Sequence, residues 1–300
     1  MVKSVQSPYF LTLFSLIGSK RIFDSPSTGL EQDNSTREVE GNQLRYPVIL
    51  VHGIIVHDRW APIDFWGRIP DILRREGVKV YFGGTDAWGD YQSNAALLKE
   101  TIDRVLEENQ TTRVNIIAHS KGGIDSRYLI WHYGYGDKVA SLTTIGSPHR
   151  GAEVADLVYS RRLTHTDVSR RLLNLFGHIY GDKNPDIYSL LYQLTTEHMQ
   201  EFNQLVILDE KVYFQSIYSS MLTSFEDPIF FFSHFYILNV KGENDGLVSE
   251  ASAAWGPNPR KIPGSLSHAD LVDIRKELKR GVNIPQMYLD LIRNLAERGF

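Results

Sequence analysis

No cysteine occurs among the 300 residues. Disulfides and thiolate-held metals are therefore excluded, though a chain of this length can bury a core that needs no covalent staple. No run reaches the roughly 18 apolar residues that a membrane-spanning helix requires. Long basic tracts are missing too, and the formal net charge is −4, so there is no electrostatic footprint for nucleic acid. Lys3 precedes an apolar stretch, Tyr9–Ile17, that has the size of a signal-peptide core, but the positive region is thin and Lys20-Arg21 follow directly. The compartment, secreted or cytoplasmic, stays open on this evidence. Residues 24–45 carry few apolar residues and no period. They read as a linker, so residues 1–45 form an N-terminal arm and 46–300 the domain.

What is present from Pro47 onward is an alternation of short apolar runs with amphipathic stretches. Val48–Val51, Val78–Phe82, Val114–Ala118, Ser141–Ile145 and Tyr236–Val240 read as strands. Helices are expected over about 65–75, 93–108 (capped by Ser93), 122–133 and 286–298. Strands alternating with helices imply a mainly parallel central sheet covered on both faces, with an interruption by helical segments over about 152–230. In such a sheet the chemistry belongs to the loops at the carboxyl ends of the strands.

Three of those loops carry reactive residues. Ala118-His119-Ser120-Lys121-Gly122 follows a strand and opens a helix, the pattern of a nucleophile elbow with Ala in place of the first Gly. Such a turn lifts the serine oxygen above the sheet and aims the first helical amides at developing negative charge. Lys121 contributes its backbone N–H to an oxyanion hole, its side chain being expected in solvent. Val51-His52-Gly53-Ile54 ends the first strand, and the Ile54 N–H is the second donor. In this chain order an acid and then a histidine follow the serine. Glu243 and Asp245 both satisfy the spacing, while His268 is the one histidine of ten that lies after them. Ser120 would attack an acyl carbonyl, His268 would shuttle the proton, and the acid would orient the imidazole.

Together YPVILVHGI, VNIIAHSKGG with Arg127-Tyr128, IGSPHRGAEVADLV, LTTEHMQEFN, LTSFEDP, NDGLV and SHADLVD occur in the order found in bacterial true lipases. Residues 46–300 resemble the triacylglycerol lipases of the Pseudomonas, Burkholderia and Proteus type. The resemblance implies an α/β-hydrolase fold with a helical lid insertion, here about residues 152–200 and including an amphipathic helix within about 164–182. It places the acid on Asp245. It implies a serine ester hydrolase acting on triacylglycerol at a lipid–water interface, with a carboxylesterase, phospholipase or acyltransferase of the same triad as the alternative, and a non-catalytic lipid-binding relative further off. No organic cofactor is implied. One structural calcium ion is, held by Asp227, Asp270 and the backbone carbonyls of Ile274 and Leu278; the plainer reading of those residues is that Ser267 and Asp270 cap a helix running through Leu271 to Lys279 and that Asp227, before Pro228, starts a turn. Lacking cysteine, the chain sides with members that need no dedicated foldase.

Overall fold

Val48, Ile49, Leu50 and Val51 are all fully buried, and their alternation divides them between two faces of a sheet. They form strand β1 (Val48–Val51) in the computed structural model, which describes residues 44–54, 58, 64–160, 182–278 and 281–300. The chain continues through α1 (Ile69–Arg75), β2 (Val80–Phe82), α2 (Tyr91–Asn109), β3 (Val114–His119), α3 (Lys121–Tyr133), β4 (Val139–Ile145) and α4 (Glu153–Ser160). After α5 (Ile187–Gln193) and α6 (Thr196–Leu205) come β5 (Tyr213–Tyr218), α7 (Phe231–Val240), α8 (Glu250–Ala253), β6 (Pro259–Lys261) and α9 (Ile284–Glu297). These residues belong to one unit, Gly41–Phe300. The N-terminal arm lies almost wholly outside the described residues, as does the expected lid helix within about 164–182.

The six strands run in the order β2-β1-β3-β4-β5-β6, and every pairing between them is parallel. Both faces are covered, which is why the inner strands read as unbroken apolar runs. On one face Ile49, Val51, Ile116 and Ala118 pack against Ala95, Leu98, Ile102 and Val105 of α2. On the other, Val48, Leu50 and Ile117 meet Ile69 and Leu73 of α1 with Tyr288, Leu291 and Leu295 of α9. The buried positions of α9 recur at helical spacing, Asn283 caps its first turn by accepting from the Gln286 N–H, and Pro285 sits in that turn, where no amide is needed. Strand order reverses at β1, between β2 and β3. Ile54 and Ser120 therefore leave the carboxyl ends of adjacent strands at the switch point where such sheets bind ligands.

Four elements differ from the sequence reading. Tyr236–Val240 is not a strand but the second half of α7. A short apolar run does not by itself distinguish the two periods, and here Phe230–Ile237 extends it to helical length. The strand that was missed is β5, inside the stretch read as helical; β6, at the edge and exposed, carried no apolar signal. Helix α2 begins earlier than expected, and its cap is Asp90, whose carboxylate accepts from the Ser93 N–H at 2.7 Å.

Candidate active site

Ser120 joins β3 to α3 with φ 54° and ψ −129°. That backbone conformation costs a non-glycine residue on the order of 1–3 kcal/mol and persists only when its surroundings impose it. Here the Ser120 N–H donates to the Ile145 carbonyl at 2.9 Å, extending the β3–β4 ladder into the turn. Gly122 makes the turn possible: a Cβ there would lie 2.5 Å from the His52 carbonyl oxygen and 2.7 Å from that of Val51.

The loop after β1 faces this turn. The His52 ring lies 2.7 Å from the Gly53 carbonyl through Nδ1, and 3.0 and 3.3 Å from the carbonyl and hydroxyl of Thr85 through Nε2. A peptide is planar and trans, so a Gly53 carbonyl turned toward His52 sends the Ile54 N–H the opposite way. The first amides of α3, Lys121 among them, have no partner within their helix.

His268 Nε2 is 2.9 Å from Ser120 Oγ, and His268 Nδ1 is 2.7 Å from Asp245 Oδ2. All three residues are buried. The other carboxylate oxygen of Asp245 accepts from the Leu247 and Val248 amides at 3.0 and 2.8 Å, and the His268 N–H donates to the Asp245 carbonyl at 2.7 Å. The structure thus brings together Ser120, Asp245 and His268. Glu243 stands apart, its carboxylate on Lys261 at 2.5 Å, which holds its pKa below the ordinary value. Asp245 does not follow a strand directly. The chain leaves β5, makes an excursion through α7, and returns where the Met221 N–H donates to the Asn244 carbonyl at 2.8 Å.

Other residues shape this centre. The His119 ring packs 4.6 Å from that of His268, and its Nε2–H donates to the His268 carbonyl at 3.2 Å. Burial, with His268 and His52 close by, holds its pKa well below 6.5, so it is neutral. Gly146, with φ +59°, passes so close that a Cβ would sit 2.9 Å from Leu271 and 3.3 Å from Asp245 Oδ2. Phe230 presents its ring edge-on, 6.4 Å from that of His268. The sequence carried a signal for His119 and Gly146, which lie in the elbow and in IGSPH, but none for Phe230.

The Lys121 side chain is not in solvent. It is buried, with Nζ 2.6 and 2.9 Å from the two oxygens of Asp125 one helical turn on. Asn94 donates to the same carboxylate at 2.9 Å and also exchanges bonds with the Asp86 backbone. The Asp86 carboxylate in turn accepts from the Lys183 and Asn184 amides, and that of Asp182 from the Ala87 and Trp88 amides. A continuous polar chain runs from the elbow to residues 182–184.

Asp227 and Asp270, expected as calcium ligands, do lie side by side. Between them lies a guanidinium: Arg275 Nη2 is 2.6 Å from Asp227 and Nη1 2.6 Å from Asp270. Among the described residues no three His, Cys, Asp or Glu side chains gather to hold a metal. Leu278 is largely exposed, while Ile274 packs on the core. With both carboxylates committed to a cationic side chain, the arrangement fits a guanidinium and not a metal ion. Ser267 and Asp270 do form a capping box, as the plainer reading has it, but over the short turn His268–Val272; the helix expected from Leu271 onward does not form over the described residues up to Leu278.

Residues 47–214 match the family model described as palmitoyl protein thioesterase. The chain belongs to that family. Among relatives of this family member, a triacylglycerol lipase of Pseudarthrobacter phenanthrenivorans is 35% identical over 172 residues, covering 53% of each protein. The chain thus spans about half the length of that curated relative. A triacylglycerol lipase of Pseudomonas fragi is 25% identical over 292 residues, covering 85% of this chain and 97% of its own. The kinship with bacterial triacylglycerol lipases expected from the motifs is borne out. A crystal structure of a Bacillus licheniformis lipase in mature form superposes with TM-score 0.61 at 23% identity, covering 85% of this chain and 94% of that one. It bears out the α/β-hydrolase fold.

Proposed function

We propose that the chain is a serine carboxylic-ester hydrolase working through an acyl-enzyme on Ser120. The observation that carries this is the continuous hydrogen-bonded line Ser120–His268–Asp245, with distances of 2.9 and 2.7 Å, on an elbow strained at Ser120. His268 takes the Ser120 proton as Oγ attacks the acyl carbonyl and delivers it to the departing alcohol. Water then repeats the cycle in reverse. Asp245 fixes the imidazole with Nδ1 protonated and stabilises the imidazolium. The Ile54 and Lys121 N–H groups receive the charge on the tetrahedral oxygen, with His52 orienting the first through Gly53.

The substrate class is a triacylglycerol or another long-chain acyl ester met at a lipid–water interface. The lipase relatives support this, and so does α7. Beyond Phe230, which faces His268, this helix carries no charged residue and leaves Phe232 and Phe235 exposed at 69% and 59%, with Phe225 before it at 83%. Exposed apolar surface on a helix that starts next to Phe230, itself against His268, suits contact with lipid. The family description favours a second reading, a long-chain acyl thioester, which the same acyl-enzyme would serve. Purified protein assayed on emulsified long-chain triacylglycerol, a soluble short-chain ester and a long-chain acyl thioester separates these. The lipase reading predicts the highest turnover on the emulsion. Activity confined to the short ester would make the protein a carboxylesterase, preference for the thioester would favour the second reading, and no hydrolysis at all would overturn the hydrolase.

A further inference from the structure

Arg275 lies three residues beyond the turn that carries His268, and its fork reaches two separate segments. Nη1 meets Asp270 Oδ1 at 2.6 Å and Nη2 meets Asp227 Oδ2 at 2.6 Å. Asp227 belongs to the loop that leads into α7, 48 residues earlier in the chain. Ser267 completes the arrangement: its hydroxyl donates to Asp227 Oδ2 at 2.7 Å, and its N–H to Asp270 Oδ2 at 3.1 Å. Asp227 Oδ1 accepts from the Ile229 N–H at 3.1 Å. Both carboxylates are buried, and the guanidinium is one-quarter exposed.

His268 therefore sits between two residues, Ser267 and Asp270, that are anchored to one cationic group. Two buried carboxylates held by one group repel each other when both are ionised, and a bridging positive charge relieves this without either taking up a proton. A guanidinium supplies it permanently and in a planar fork. We propose that Arg275 is a positioning residue: an internal cation that clamps the His268 turn to the Asp227 loop, so that the general base is held without a metal ion, and whose removal leaves a two-carboxylate pocket able to take calcium instead. This rests on the reading of His268 as the general base, but the clamp itself can be read from stability and metal binding alone.

The test uses the full chain, Arg275→Ala and Arg275→Lys, with thermal unfolding and soluble-ester kinetics measured in chelator and in millimolar calcium. Wild type is expected to melt and turn over identically in both. Arg275→Ala should melt lower and lose roughly 10-fold or more in kcat with little change in KM, as when an orienting partner of a catalytic group is removed. Calcium should restore much of both, and should fail to do so in Arg275→Ala/Asp270→Asn. Arg275→Lys should retain partial function in chelator, and it keeps the question answerable if the alanine variant does not fold. A wild type that loses stability in chelator and regains it with calcium would overturn the proposal. So would an Arg275→Ala protein with unchanged melting and kcat, or one that calcium does not rescue. If no variant hydrolyses ester, the calcium dependence of melting still decides the clamp, while the hydrolase reading fails separately.

Discussion

Replacing Lys121 by Met removes one partner of an ion pair whose side chains are only 2% and 1% exposed, 2.6 Å apart. Breaking a buried pair costs about 3–5 kcal/mol, because the remaining charge is left without compensation. Asp125 has one means of relief. Burial already pushes its pKa up, against the opposing pull of Lys121 and Asn94, and without Lys121 it rises further. The variant's folded state then holds a proton that its unfolded state releases, so its stability improves as pH falls and worsens as pH rises. The deficit should be largest above neutrality and shrink toward pH 5. For a domain of this size each kcal/mol moves the midpoint by roughly 2–4 °C, so Tm should drop by about 10 °C at pH 8. Urea and thermal unfolding at pH 5, 7 and 8 measure this. The double variant Lys121→Met/Asp125→Leu should recover most of the loss, since two apolar residues replace the pair. A single variant within about 0.5 kcal/mol of wild type at every pH would show that Lys121 is a solvated surface residue.

Asp245→Asn should cut ester turnover by about 10⁴-fold while the protein still folds, because the imidazole loses its orienting carboxylate; Glu243→Gln should leave turnover close to wild type, and the reverse pattern would move the acid to Glu243. Stability should also fall with acidity through the buried histidines. Burial depresses the pKa of His119 and of His149, the latter beside Arg127 and Arg150, so both stay neutral in the fold while the unfolded chain protonates near 6.5. Their contribution is full above pH 6.5 and declines below it by up to about 1.4 kcal/mol per pH unit for each. Unfolding free energy measured between pH 8 and pH 5 that stays flat would contradict this.

Much of this was legible in the sequence because the elements that build the site are local. The strand–turn–helix from Val114 to Tyr133 announces itself by a buried run, small residues at Ala118 and Gly122, and a serine between them. Chain order then singled out His268. Less legible was whatever depends on partners far along the chain. Tyr236–Val240 has strand-like residues, yet belongs to a helix because Phe230 to Phe235 extend the run. Lys121 looked exposed because nothing near it in sequence shows that Asn94 and Asp125 close over it. Asp227 and Asp270 were brought together only by the resemblance, as calcium ligands, and Arg275 was invisible as their bridge, since its partners lie 48 and 5 residues away.

The central claim is that Ser120 is the acylated nucleophile. Incubation with a long-chain alkyl phosphonate ester, followed by intact mass and peptide mapping, tests it most directly. The account predicts one phosphonyl adduct per chain, located on Ser120, with hydrolysis of a long-chain ester lost in step with labelling and neither labelling nor turnover in Ser120→Ala. Labelling of another residue, or an equally active Ser120→Ala protein, would contradict it.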